Sequence, residues 1–193
     1  MSDTRFRREH RLVLLAVLLS VFSVSAVAQT TDFDVDTFRK HWYPSHEGKS
    51  VTTLGLNHAE ISSVLASAGM RQQSVLARRV DMGEGAEHGL VIQGNDYNLC
   101  GGTGNCSTWF FRKIGAKWAP VKGDWGPDPD VYTSAFAFLP PKRHGLYELV
   151  VMTHESSDDA AIEVLWFDGK QYRSNQDYCW HPQENKIVGG PCR

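Results

Sequence analysis

The sequence predicts an α+β fold: a mostly antiparallel β-sheet of six or seven strands behind two short N-terminal helices. Three observations carry this expectation. Helical caps and helical spacing are confined to the chain before residue 70. From about Leu90 onward, apolar and aromatic residues alternate or run in short blocks between Gly, Pro and Asp turns. No Pro- or Gly-rich linker interrupts this pattern, so residues 29–193 are expected to form a single domain.

The first helix needs a cap, and Asp34 or Asp36 can supply it. Phe38 and Trp42 then stand four apart on one face, and Pro44 stops the helix. The second helix has a fuller signature. Asn57 caps, Glu60 is its capping-box partner three residues on, and Ile61, Val64, Leu65 and Ala68 recur at helical spacing before Gly69.

The strands follow in order. Leu90-Val91-Ile92 is a short apolar block, and Ser107 to Arg112 carries Trp109 and Phe111 on one face. Trp118 to Val121 returns after the Ile114–Lys117 turn. Tyr132, Phe136 and Phe138 alternate up to Pro140-Pro141. Leu146 to Met152 is apolar on both faces, as a central strand is. Ala161 to Phe167 runs into Asp168-Gly169, a two-residue hairpin signal, and Lys170 to Arg173 returns.

Residues 1–28 read as a secretory signal peptide. Arg5, Arg7, Arg8 and Arg11 form a basic start, Leu12 to Val24 an apolar run, and Ala26-Val27-Ala28 a small-x-small cleavage site. The apolar run falls short of the roughly 20 residues of a bilayer-spanning helix. The expected product is periplasmic or secreted and, after cleavage, not an integral membrane protein. Cleavage would shift the formal charge from −2 to about −4, since four arginines, Asp3 and Glu9 leave with the leader. A weakly acidic chain with no basic run argues against nucleic acid as a partner.

All four cysteines, Cys100, Cys106, Cys179 and Cys192, follow the leader. An even count in an oxidising compartment points to disulfides. Of the three possible pairings, the nearest-neighbour set is expected: Cys100 with Cys106 and Cys179 with Cys192. The residues between the first pair, Gly-Gly-Thr-Gly-Asn, tolerate positive φ and suit a hairpin loop closed at its neck. Zinc is the rival, because His181 lies near Cys179, but the tight cysteine spacing of structural zinc sites is missing.

The stretch from about 88 to 180 resembles a family of uncharacterised exported bacterial proteins. The matching residues are the loop Cys100-Gly101-Gly102-Thr103-Gly104-Asn105-Cys106, then Trp109-Phe110-Phe111-Arg112, His144-Gly145 and His154. The hairpin Trp166-Phe167-Asp168-Gly169-Lys170-Gln171-Tyr172 and Cys179 complete the set. The resemblance implies export and a β-rich core, and it transfers no activity.

The residues themselves offer four kinds of chemistry. His154 with Glu155 and Asp158 sits at the end of the expected central strand. A His beside carboxylates could do general acid–base work, although short polar turns of this composition are common. Asp124, Asp128 and Asp130 could offer oxygen ligands to calcium, but the alternation of an EF-hand loop and its terminal Glu are absent. No Gly-x-Ser-x-Gly elbow and no His-Glu-x-x-His helix is present. Finally, Trp125 and Trp180, expected to be exposed, and Asn105 in the cysteine loop could form a recognition surface. The expected function is therefore an exported, non-catalytic module binding a protein or envelope polymer, with an inhibitor or immunity type among the roles that fit, without a cofactor. The alternative is a small exported hydrolase centred on His154.

Overall fold

The computed structural model describes residues 33–45, 47–70, 75–125 and 130–192. The expected leader, residues 1–28, and Asp128 lie outside them.

Both helices form where their caps place them. The first, α1 (Val35–His41), begins at Asp34, whose carboxylate accepts from the backbone N–H groups of Asp36 and Thr37. Extended backbone at Trp42, two residues before Pro44, ends it. The second, α2 (His58–Ser67), carries a complete capping box. Asn57 Oδ1 accepts from Glu60 N at 2.9 Å, and Asn57 N donates to Glu60 Oε2 at 3.0 Å. Its buried face is Ile61, Val64 and Leu65.

The strands of the described residues are β1 (Tyr43–Pro44), β2 (Lys49–Ser50), β3 (Val75–Val80), β4 (Gly89–Gly94), β5 (Cys106–Ile114) and β6 (Lys117–Pro120). They continue with β7 (Val131–Thr133), β8 (Ala135–Arg143), β9 (Leu146–His154), β10 (Ala160–Phe167), β11 (Tyr172–His181) and β12 (Lys186–Gly189). They form two sheets of antiparallel ladders. The first has the order β1-β8-β9-β10-β11-β12. The second has the order β2-β3-β4-β5-β6, with β7 added beside the start of β5.

The mostly antiparallel α+β class therefore holds, with more strands than the expected six or seven and two layers in place of one. The additional strands are mainly β1, β2, β3 and β12, and the expected strand from Tyr132 to Phe138 divides into β7 and β8 at Ser134. The Pro140-Pro141 pair does not end its strand either. It lies at a register shift between Leu139 and Lys142, where a missing N–H breaks no ladder bond.

Strand alternation divides the interior into two cores. On β5, Phe110 points between the sheets, where it meets Val91 of β4, Phe136 and Phe138 of β8, Leu149 of β9 and Leu165 of β10. Its neighbours Trp109 and Phe111 point the other way. They pack with Leu90 and Ile92 beneath α2 and the 3-10 turn Val51–Leu54. A bridge from Gly123 to Tyr172 joins the two sheets at one end. At the other end they are joined by the cysteine loop.

Candidate functional site

Both disulfides form as expected, Cys100–Cys106 and Cys179–Cys192, and among the described residues no cysteine is free. Two bridges mark a chain that matures in an oxidising environment. Among the same residues no helix is long and apolar enough to cross a membrane.

The Cys100–Cys106 loop is closed by backbone as well as sulfur. Gly101 N donates to Asn105 O at 2.8 Å, Gly104 N to Gly101 O at 3.0 Å and Ser107 N to Leu99 O at 2.7 Å. Gly104 takes φ +81°, a left-handed conformation that suits glycine. A side chain on Gly101 would run into the Tyr132 hydroxyl, only 2.1 Å from the Cβ position. From outside, the hydroxyl of Ser45 donates to Gly104 O at 3.1 Å.

Asn105 is the keystone of this end of the molecule. It is 3% exposed. Its Oδ1 accepts from His154 N at 2.9 Å, and its Nδ2 donates to His154 O at 2.9 Å and to Thr103 Oγ1 at 3.0 Å. One side-chain amide thus pairs with the main chain of His154 as a neighbouring strand would, and fastens the loop to the end of β9. The structure brings Asn105 and His154 together, but through the His154 backbone. Among the described residues the His154 imidazole takes part in no hydrogen bond.

The turn after His154 is also internally satisfied. The Ser156 hydroxyl accepts from the N–H groups of Asp158 and Asp159 at 3.1 and 3.0 Å. Glu155 and Ser156 donate their own N–H groups to Asp159 O. The Asp158 carboxylate holds Gln183, and Glu155 is exposed. The His–carboxylate pair that does form is a different one: His181 Nδ1 lies 2.5 Å from Asp159 Oδ1. Antiparallel register sets it, because Ala160 sits opposite Trp180 and the following pair falls at Asp159 and His181. Asp159, Cys179 and His181 place one ligand atom each within 4.8 Å of one another. The Cys179 sulfur is bonded to Cys192, so it offers no thiolate, and the remaining two ligands are too few for a structural zinc site.

The acidic loop is likewise employed within the fold. Asp124 Oδ1 accepts from Arg173 Nη1 at 3.0 Å and Gln171 Nε2 at 2.9 Å. An oxygen facing a guanidinium is a poor calcium ligand. Asp130 is half-buried ahead of β7. Arg173 also holds Asp168 at 2.8 Å, and Lys170 N and Gln171 N donate to the same carboxylate. These bonds hold the Asp168 carboxyl well below the usual range, with the Gln171 backbone bond the largest cause.

The two tryptophans expected at the surface are drawn inward. Trp180 is 4% exposed, stacked edge-on with Trp42 at 6.5 Å and covered by Arg39 at 4.8 Å from its ring centre. Its outward parity on β11 places it beneath α1 instead of in solvent. Trp125 is half-buried: it folds back over Gly123 and meets Phe110 at 6.0 Å.

The aromatic residue that does stand in solvent is Tyr97, 90% exposed. Its loop is nonetheless firmly built. Asp96 Oδ1 accepts from Asn98 N and Leu99 N, and Asp96 O accepts from Leu99 N and Cys100 N. An Asp four residues before the first cysteine of a loop is the signal that could have pointed to this turn.

No known protein family, curated protein or solved structure matches this chain.

Proposed function

We propose that this chain is an exported, non-catalytic binding module, periplasmic or secreted, that engages a protein or an envelope polymer through the rim of the Cys100–Cys106 loop. The observation that carries this reading is Tyr97, held almost wholly in solvent by the Asp96 turn immediately before the disulfide. A rigid aromatic anchor loses little conformational entropy on binding and buries a large area, which is why such residues dominate recognition surfaces. Tyr132, 44% exposed and leaning on Gly101, lies against the same loop. The export half of the reading is supported by the tripartite pattern of residues 1–28 and by the two disulfides. An inhibitor or immunity-type role suits a small scaffold whose loops are fixed before binding. A hydrolase centred on His154 has less support, because its imidazole lacks a carboxylate partner among the described residues and Asn105 uses only its backbone.

Affinity capture from the native envelope, run in parallel with wild type and Tyr97→Ala, tests the reading. The expected result is a retained protein or glycan whose recovery drops about tenfold or more in the variant, the loss typical of a dominant anchor. Equal recovery by both proteins, or none by either, would overturn it. Hydrolysis of envelope material that disappears in His154→Ala would establish the alternative.

A further inference from the structure

A second site lies away from the cysteine loop, at the edge of the β2–β3 ladder. That ladder joins Lys49–Ser50 to Leu76–Ala77 and stops there, so Arg78 and Arg79 stand beyond its end. Successive strand residues point to opposite faces. Val80 belongs to the core between the sheets and Ala77 to the core under α2. Arg78 therefore leaves the strand on the first side and Arg79 on the second. Both line a cavity of about 400 Å³ that also includes Tyr43, Glu47, Lys49 and Leu54. Small-molecule sites occupy roughly 300–1,000 Å³.

The cations here are held by neutral groups. Arg78 lies over the Tyr43 ring at 5.1 Å and donates from Nη2 to Pro44 O at 3.1 Å. Its Nε is buried without a hydrogen-bond partner. Arg79 donates to Glu87 O and Leu54 O, at 3.2 and 3.4 Å. Lys49 sits opposite Ala77, so it is the diagonal neighbour of Arg79 on the same face. Like charges in that relation repel. Among the described residues, no ion pair within 4.0 Å engages Lys49, Arg78 or Arg79. The lining carboxylate, Glu47, acts on Arg78 from a longer distance, and burial pulls the guanidinium below its ordinary pKa. Among the described lining residues three cations face one carboxylate, Glu47, with Glu60 acting on Arg79 from outside the lining, in a chain that is acidic as a whole.

We propose that this cavity binds a small organic dianion, a phosphomonoester or a paired carboxylate, with Arg78, Arg79 and Lys49 on the charged head and the Leu54 wall against the apolar body. Guanidinium forks match phosphate and carboxylate oxygens in pairs, and the lysine adds a point charge. An anion would also relieve the repulsion between Lys49 and Arg79.

Titration calorimetry on protein expressed from the full chain tests this with phenyl phosphate and phthalate, using benzyl alcohol as the neutral control. Saturable binding of at least one dianion, weakening with added salt, and no binding of the alcohol are expected. A preference for phenyl phosphate assigns a phosphate head, and a preference for phthalate assigns paired carboxylates. Arg78→Gln is expected to weaken binding about tenfold or more, the size of a charge-assisted hydrogen bond. Lys49→Gln, at an exposed position, should weaken it about threefold. If Arg78→Gln fails to fold, Lys49→Gln and the salt dependence decide. No saturable binding of either dianion up to about 10 mM would overturn the proposal. So would affinity that both Lys49→Gln and high salt leave unchanged.

Discussion

The two ends of the sheet pair are built from the same residue types and treat their aromatics in opposite ways. At the Phe167–Tyr172 hairpin, Asp168 and Gly169 make the turn and Tyr172 is 0% exposed. Its hydroxyl reaches Tyr147 O at 2.9 Å and its ring meets Phe167 at 5.4 Å. At the cysteine loop, Asp96 and Gly101 to Gly104 make the turns and Tyr97 stands free of the core. The hairpin end spends its aromatics on cohesion. The loop end is held by a disulfide and by side chain–main chain bonds, so its aromatics are left for the surface. Turn chemistry alone does not say which way an aromatic faces: Tyr172 opens a strand and is buried, while Tyr97 lies within a turn outside any strand.

The largest effect that could break this comparison is Tyr172→Ala. Emptying a fully buried ring site should destabilise the protein by about 3–5 kcal/mol, whereas Tyr97→Ala should stay within about 0.5 kcal/mol of wild type. Urea unfolding of both variants measures the difference, and similar losses would erase the contrast. Next comes Asn105→Ala. It leaves the N–H and C=O of His154 without their partner, and a loss of about 2–3 kcal/mol is expected. A loss below about 0.5 kcal/mol, the surface norm, would show that the amide clamp does little.

A smaller effect is confined to alkaline pH. Burial pushes the Tyr172 hydroxyl far above its ordinary value. The unfolded tyrosine ionises first, so the contribution is intact below pH ~10 and falls by about 1.4 kcal/mol per unit above it. Tyr172→Phe should flatten that part of a stability-against-pH curve measured by denaturant unfolding. A slope that persists in the variant would assign it to other groups. The smallest effect concerns Glu163, whose carboxyl is pushed upward by burial and then by Asp177 and Asp124. Its unfolded form loses its proton first, so stability is full below the ordinary carboxyl range and drops as the pH rises through the folded value. Glu163→Gln should therefore gain about 0.5 kcal/mol at pH 7, since water screens a half-exposed group. The gain should vanish near pH 4, and thermal melts at the two values would show it.

Much of the fold was legible because local rules and tertiary structure agree. The Asn57–Glu60 box, the Asp168-Gly169 hairpin and the cysteine loop are each set by residues within a few positions of one another. Strand β3 was not legible, because Arg78 and Arg79 interrupt the apolar alternation of Val75 to Val80 and rest against Tyr43 and Trp118. Strands β1 and β2 are two residues long and gain their ladders only from partners distant in sequence, while β12 is a four-residue, mostly exposed edge strand returning from β11. The same reasoning covers the site. His154 was placed correctly at a strand end, but its pairing with Asn105 was not legible, and the His181–Asp159 pair depends on the register of β10 and β11. The exposure expected of Trp180 failed because α1 covers it, a contact across more than a hundred residues.

With Asn105 as the clamp, the cysteine-loop rim is expected to be fixed before any partner arrives. Amide hydrogen exchange at His154 tests it most directly. In wild type this N–H should be protected to near the level of the β9 interior, and Asn105→Ala should release it while the β9 interior stays protected. Exchange of the His154 amide at the rate of an open loop in the wild-type protein would contradict it.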